Sequence, residues 1–427
     1  MRIRHYERRL LSTLLLLLFF AECPSPWRCT AYGSSTAAGT QNSLLAGGKP
    51  ILAGVNVLLE NQGPPYQSFD MFDTRHFDVA ALNADFATIK AQKYDFVRLW
   101  LKGYDPDEGF GLTEPGVSDA YAANVLRALQ LARANGVRVV LTGAFRQGLW
   151  LPQNYIPAGL PPESVVGGEN RLLLLPPMAQ AAATFYVDLL RKLQADDPGI
   201  LSTLLYFDLY NELGFDLAQP PFTASTGTYV FAGQTYDLGR AKSRQALMDA
   251  SATAWMRTVS DAVHGVDSSL PVTASSFLLA AFGHAGFDGG LPTGAREHWA
   301  PYPTRPAALI AGGAGLIDIH IYSSPAHRAN TDFAQSALAT LAKNEITPAL
   351  ARRVPVVFGE FGSSDVQILH PETSIPEMRA TWTALCSLHP SGYALWWMNA
   401  ATPQLPTNTR ALLSNFGSAT PACAPDT

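Results

Sequence analysis

Eight short apolar runs, separated by longer amphipathic stretches, constrain the fold of this chain more than any other feature. They are Ile51–Val57, Asp95–Leu101, Val137–Ala144, Leu204–Tyr210, Pro271–Ser275, Leu316–Tyr322, Pro355–Gly359 and Tyr393–Met398. Near-continuous Val/Ile/Leu/Phe content over such lengths suits parallel strands buried on both faces. Between them, helical patterns cover Val79–Lys93, Asp119–Asn135, Met178–Gln194, Lys242–Val263, Phe333–Lys343 and Pro376–Leu388. Asp78 and Ser118 are candidate N-caps, and Asn135-Gly136 is a helix stop. Strand–helix alternation favours right-handed βαβ units, and eight of them close into a (β/α)8 TIM barrel of the α/β class. A doubly wound open sheet is the structural alternative.

Long irregular segments follow the third, fourth and fifth strands. Phe145–Pro177 carries Trp150 and Tyr155, and Phe277–Gly315 carries His298, Trp299 and Tyr302. The segment after strand four includes Thr228–Leu238, where Ala232-Gly233 between alternating residues predicts a small hairpin. All three would rise from the C-terminal face, where barrels of this type place their sites. They are expected to wall a substrate cleft, with Trp150 and Trp299 as aromatic surfaces.

Composition narrows the function. Of 427 residues, 47% are hydrophobic and 15% charged, which excludes a disordered chain and suits one large domain. The formal charge of −5 comes without a basic stripe, so nucleic acid is not an expected partner. Arg2, Arg4, Arg8 and Arg9 precede an apolar run from Leu10 to Ala21, too short for a bilayer span of about 20 residues. Residues 1–31 are therefore expected to be a signal peptide, or else a retained N-terminal anchor and the only membrane contact. Residues 32–48, rich in Gly, Ser, Thr and Ala, form a lead-in, and 49–427 a single domain with a C-terminal tail. The expected setting is secreted, periplasmic or extracellular, and the expected state monomeric. Cys386 and Cys423 are the two cysteines securely past the signal; a disulfide between them and two free thiols are both open. The nine His are scattered and no Cys/His cluster has metal-ligand spacing, so no metal or other cofactor is expected.

The chemistry concentrates at two strand ends. LLYFDLYNEL, residues 204–213, ends an apolar strand in Asn211-Glu212, and VPVVFGEFG, residues 354–362, ends another in Glu360 between Gly359 and Gly362. Glycines there let backbone or substrate approach closely. Either Glu alone would read equally as a salt-bridged strand end. Together, on the fourth and seventh of eight strands, they can face each other across the barrel axis, as a retaining glycosidase requires of two carboxyls about 5–5.5 Å apart.

This pattern resembles the clan A glycoside hydrolases, most of all glycoside hydrolase family 5, the cellulase and mannanase family. The resemblance spans about Ile51 to Asn399. It implies Glu212 as general acid/base, Glu360 as nucleophile and Asn211 as partner of the sugar 2-hydroxyl. Arg98 in FVRLW matches the Arg that supports the nucleophile and would keep its pKa low. His320 and Tyr322 in DIHIY match a His contacting sugar or acid/base and a Tyr donating to the nucleophile. Trp396 and Trp397 in LWWMN match an aromatic platform under the reactive sugar. Only one of the two can point inward, and Trp396 is preferred. Asn56 in GVNV ends strand one, where the family often carries a polar residue. The chain differs from the family in having Leu213 instead of Pro, and in ending strand three with Thr142-Gly143-Ala144-Phe145 instead of a His.

The expectation is a retaining hydrolase of β-glycosidic bonds in a polysaccharide or oligosaccharide, β-mannan or β-glucan favoured. The alternatives are a non-catalytic glycan-binding barrel and a clan A transglycosidase or exo-β-glycosidase of another family.

Overall fold

The computed structural model describes residues 51–61, 67–69, 71–101, 117–143, 158–277, 304–323, 347, 352–363, 378–379, 381–383, 385–386, 388 and 390–399. Eight parallel strands form one sheet. They are β1 (Leu52–Asn61), β2 (Phe96–Leu101), β3 (Arg138–Gly143), β4 (Leu204–Asp208), β5, β6 (Ile317–Ser323), β7 (Val356–Ser363) and β8 (Gly392–Asn399). The fifth is broken into Val272–Thr273, which pairs with β4, and Ser276–Phe277, which pairs with β6. Neighbours run β5–β4–β3–β2–β1–β8–β7–β6 and return to the second half of β5. The sheet thus curls into a barrel whose closure runs through that interrupted strand. The fold is the expected (β/α)8 barrel; the correction is that Pro271–Ser275 is not one continuous strand.

Helices follow the strands: α1 (Val79–Ala91), α2 (Asp119–Ala134), α3 (Pro176–Asp196), α4 (Ala241–His264) and α5 (Pro306–Ala311). The Asp78 carboxylate accepts from the amides of Ala80 and Ala81, and the Ser118 hydroxyl from that of Tyr121, satisfying amides that helix starts leave free. Gly136, at φ +66°, ends α2 in the left-handed conformation a Cβ disfavours. The expected hairpin is present as Thr228–Phe231 and Gln234–Asp237, turned through Ala232 and Gly233, both at positive φ. Helix α5 corrects the reading of Phe277–Gly315 as wholly irregular. Its six residues, PAALIA, are too few to show a 3.6-residue period, and Pro306 at its start supplies the only local signal. Likewise Asn170–Leu174, inside the first irregular segment, is a short helix. The stretch Phe333–Lys343 lies outside the described residues, as do residues 1–50 and the tail beyond 399. Among the described residues no helix is long and apolar enough to cross a membrane. Cys386 is disulfide-bonded, with a partner outside the described residues.

Among the described residues the core has two main parts and a small third cluster near the mouth. The larger packs outward-facing strand residues such as Val97, Leu99, Val139, Phe207, Phe358 and Phe361 against the helices. The smaller fills the barrel floor with Phe96, Val140, Leu205, Tyr206, Leu316, Val357 and Ala394. Gly54 belongs to this floor by necessity, because a Cβ there would lie 2.3 Å from the Phe96 ring.

Irregularities in register decide which residues point inward. Opposite Val139 and Val140 of β3 lie Leu204 and Tyr206 of β4, so Leu205 is an extra residue. Opposite Asp318 and His320 of β6 lie Val357 and Glu360 of β7, and opposite Tyr393 and Leu395 of β8 lie Phe358 and Phe361. Strand β7 therefore carries one extra residue between Phe358 and Phe361. A bulge of this kind re-aims the side chains beyond it. Strict alternation from Val357 would turn Glu360 toward the helices; the bulge brings it into the barrel.

Candidate active site

Above the apolar floor lies a layer of polar side chains from six strands: Asn56, Arg98, Thr142, Asp208, Asp318, His320 and Glu360, all buried. Arg98 is its centre. One guanidinium nitrogen, Nη1, donates to Asn56 Oδ1 at 3.0 Å and Glu360 Oε1 at 2.6 Å. The other, Nη2, donates to Thr142 Oγ1 at 3.0 Å, Asp208 Oδ2 at 2.6 Å and Asn211 Oδ1 at 2.8 Å. Only a planar fork with several donors can serve five acceptors on four strands and one loop. Burial alone would favour the neutral form of Arg98, but the charges of Glu360, Asp208 and Asp318 outweigh it and raise its pKa further. The guanidinium is a permanent cation, and it supplies the counter-charge for two buried carboxylates.

Each acceptor is itself held. Thr142 Oγ1 donates to Asp208 Oδ2 at 2.6 Å, and the Ser275 amide donates to Asp208 Oδ1 at 2.8 Å. Asn56 Nδ2 donates to the carbonyls of Gly359 and Leu395 at 2.9 and 3.3 Å, which ties β1 to the middle of β7 and of β8. Asp318 accepts from the Tyr206 hydroxyl and the Gly359 amide, both at 2.8 Å. Gly359 has a specific reason to be glycine: a Cβ would fall 2.3 Å from Asp318 Oδ1. The close approach foreseen at this glycine is to the Asp318 carboxylate, not to backbone or substrate. Complete burial raises the Asp318 pKa, with Asp208 adding to it and His320 and Arg98 opposing.

At the mouth, β4 continues past Asp208 into Leu209, Tyr210, Asn211 and Glu212. The Asn211 amide donates to Gly143 O at 2.7 Å, extending the β3–β4 contact by one step. Glu212 then adopts φ +55°. For a residue with a Cβ that conformation costs about 1–3 kcal/mol and tends to mark functional positions. Its side chain keeps 13% of its surface, against 3% for Glu360. His320 stands between the two. Its Nδ1 lies 3.1 Å from Glu212 Oε1 and 3.3 Å from Glu360 Oε1. One oxygen of each glutamate and a ring nitrogen of His320 all fall within 4.8 Å of one another. Burial pulls the His320 pKa down, but Glu360 and the bond to Glu212 overcome it, so the net shift is upward.

Aromatic rings cap the layer. Trp100 lies over the Arg98 guanidinium at 4.6 Å, a cation–π contact, and Trp396 meets it edge-on with centroids 5.6 Å apart. Leu58 completes this cluster. Trp396 is thus placed at the mouth.

Of the residues singled out in the sequence, Glu212, Glu360, Asn211, Arg98, His320, Asn56 and Trp396 converge here. For Tyr322 and Trp397 the backbone alone is described, and Trp150 and Trp299 lie outside the described residues. Asp208, Thr142, Asp318, Tyr206, Trp100 and Ser275 were not singled out. An ionisable residue inside an apolar strand, as in LLYFD and IDIHI, was the available signal for the two aspartates.

Among the described residues two triplets have donor atoms close enough for a cation: Glu212–His320–Glu360 and Asp208–Asp318–His320. In each, one carboxylate is already paired with Arg98, so a metal ion would compete with a guanidinium. The arrangement suits proton transfer and nucleophilic attack between two carboxylates better than metal binding.

A closed parallel barrel with a carboxylate pair at its C-terminal mouth is the architecture of many enzymes that act on sugars. No family model and no curated protein matches the sequence. Solved structures do resemble it. An exo-β-1,4-mannosidase from Opitutaceae bacterium strain TAV5 superposes with a TM-score of 0.51 at 16% identity, over 85% of this chain and 55% of that one. This chain therefore spans little more than half of that enzyme. A GH5_18 protein from Streptomyces cattleya, in complex with GlcNAc, gives 0.51 at 15% identity over 88% and 81% of the two chains. An endo-1,4-β-D-mannanase from Thermotoga petrophila gives 0.55 at 12% identity over 86% and 99%. The fold is the barrel that these three structures share.

Proposed function

We propose that this chain is a retaining O-glycosyl hydrolase similar to family 5 of clan A, cleaving β-glycosidic bonds by double displacement. The observation that carries this reading is the approach of Glu212 and Glu360, with His320 between them, within 4.8 Å. Inverting enzymes separate their carboxyls by about 6.5–9.5 Å to admit a water, and the facing oxygens of this pair lie closer than that. In the first step a Glu360 oxygen bonds to the anomeric carbon. The bond to the leaving oxygen breaks as that oxygen takes the Glu212 proton. In the second, Glu212 takes a proton from water, whose oxygen bonds to the anomeric carbon and frees Glu360. Asn211, held by Arg98, is offered to the sugar 2-hydroxyl, and Trp396 to the sugar face.

β-Mannosidic linkages are the favoured substrate, with β-glucan second. Two of the three similar structures named above support mannan, one a mannosidase and one a mannanase. A glycan-binding barrel is disfavoured because both carboxylates are present and oriented. We further propose that the chain is exported, acts as a monomer on carbohydrate, and needs no cofactor.

Glu212→Ala and Glu360→Ala should each reduce turnover by a factor on the order of 10³ or more. With an activated aryl β-glycoside, azide should rescue the two variants to glycosyl azides of opposite anomeric configuration. Near-normal turnover by either variant on mannan or β-glucan, or by Glu360→Ala on aryl β-glycosides, would sink the assignment.

A further inference from the structure

The backbone that carries Glu212 is not held by its own strand. Regular β4 ends at Asp208, four residues earlier, and Glu212 sits in the left-handed region at φ +55°. What holds it is Ser275, in the gap between the two halves of β5. The Ser275 hydroxyl accepts from the Glu212 amide at 2.9 Å and donates to Tyr210 O at 3.3 Å. Its amide donates to Tyr210 O at 3.0 Å and to Asp208 Oδ1 at 2.8 Å. Its carbonyl accepts from the Leu213 amide at 2.8 Å. One fully buried residue thus grips the main chain on both sides of Glu212 and at Glu212 itself.

This pattern also accounts for the break in β5. A regular parallel strand would offer its amide and carbonyl to alternate positions of β4 and leave its side chain out of the ladder. At Ser275 the hydroxyl takes the place of a ladder acceptor, and it does so for the one amide that a left-handed residue turns out of register.

Accordingly, we infer that Ser275 is a positioning residue for the proton-transferring carboxylate. Its hydroxyl fixes the backbone of Glu212 so that the side chain faces His320 and the mouth. This rests on the reading of Glu212 as acid/base. Ser275 touches neither substrate nor reacting atoms, and its effect should appear only where proton donation limits the rate. In the glycosylation step the Glu212 proton passes to the leaving oxygen as its bond to the anomeric carbon breaks. A phenolate of low basicity departs without that proton, whereas a basic one cannot.

The test compares wild type, Ser275→Ala and Ser275→Thr as full chains on two aryl β-glycosides, one with a 2,4-dinitrophenyl and one with a phenyl leaving group. For Ser275→Ala, kcat/KM on the phenyl glycoside should fall at least about tenfold, while that on the dinitrophenyl glycoside changes by less than about threefold. Ser275→Thr, which keeps the oxygen, should restore most of the loss. Equal losses on both substrates, or no loss on either, would overturn the inference. Should Ser275→Ala fail to accumulate as folded protein, Ser275→Cys, close in size but a much weaker acceptor, carries the same comparison. Glu212→Ala is the control that separates the two claims. If it shows the leaving-group pattern and the Ser275 variants do not, the positioning role alone falls. If Glu212→Ala shows no such pattern, the acid/base reading falls first, and the Ser275 inference with it.

Discussion

Arg98 shows how much a single side chain can organise. It is fully buried, yet it serves two carboxylates, two side-chain amides and a hydroxyl. A buried ion pair is weak evidence for stability, since desolvation offsets much of the attraction, but breaking one strands the remaining charge. Arg98→Met should therefore cost about 3–5 kcal/mol, read from denaturant midpoints, because Glu360 and Asp208 lose their partner. Arg98→Lys should fold better and still lose most turnover, since one ammonium cannot serve acceptors on both sides. Wild-type turnover by the Lys variant would show that charge alone suffices. Much of this residue scale was visible in the sequence. FVRLW places a cation where no exposed strand would, and NEL and GEF end apolar runs in carboxylates. The aspartates beneath show in sequence only as ionisable residues in apolar strands, a pattern that marks Asp208 and Asp318 without telling what they hold. Their roles depend on contacts 110 and 41 residues away.

Among the elements, the strands and long helices follow their periodicity, and the exceptions have local causes. Helix α5 is shorter than two turns of pattern. The inward turn of Glu360 depends on one extra residue in β7, which alternation counted from Val357 would miss. Ser275 looks like any loop serine until the β4–β5 contact is drawn. Helix α1 carries a different irregularity. Asp85 is buried on its packed face, with Oδ2 lacking a hydrogen-bond partner. Burial, aided by the charge of Asp78, pushes its pKa up to about 8. The sign follows from linkage. Below the unfolded value near 3.8 both states hold the proton and there is no penalty. Between that value and about 8 the unfolded chain gives up the proton more readily, so stability falls as pH rises, by at most about 1.4 kcal/mol per pH unit. Asp85→Asn removes this dependence. Its advantage in Tm over wild type should grow from pH 5 to pH 8 and then level off. A difference independent of pH would refute the assignment of a neutral Asp85.

For the whole molecule, closure is uneven. Strands β1, β2 and β3 pair over four to six consecutive residues, while each half of β5 pairs over two. Opening should therefore begin at β5. Native-state hydrogen exchange should find amides of Val272–Phe277 protected at least about tenfold less than those of Phe96–Leu101. Uniform protection around the ring would contradict this. The barrel itself was legible in the eight apolar runs; the interruption was not, because Val272 to Phe277 contains no Gly or Pro to mark it.

The bond from Arg98 to Glu360 spans 262 residues of sequence. A chain growing from its N-terminus can complete β1 to β6 and still lack Glu360, and the cation then faces Asp208 without its second anion. The meeting of Glu212, His320 and Glu360 therefore arrives late and all at once, when the seventh strand docks. The same guanidinium also reports that the seventh strand is in place, so a half-made barrel has neither Glu360 nor the Trp396 ring at its mouth.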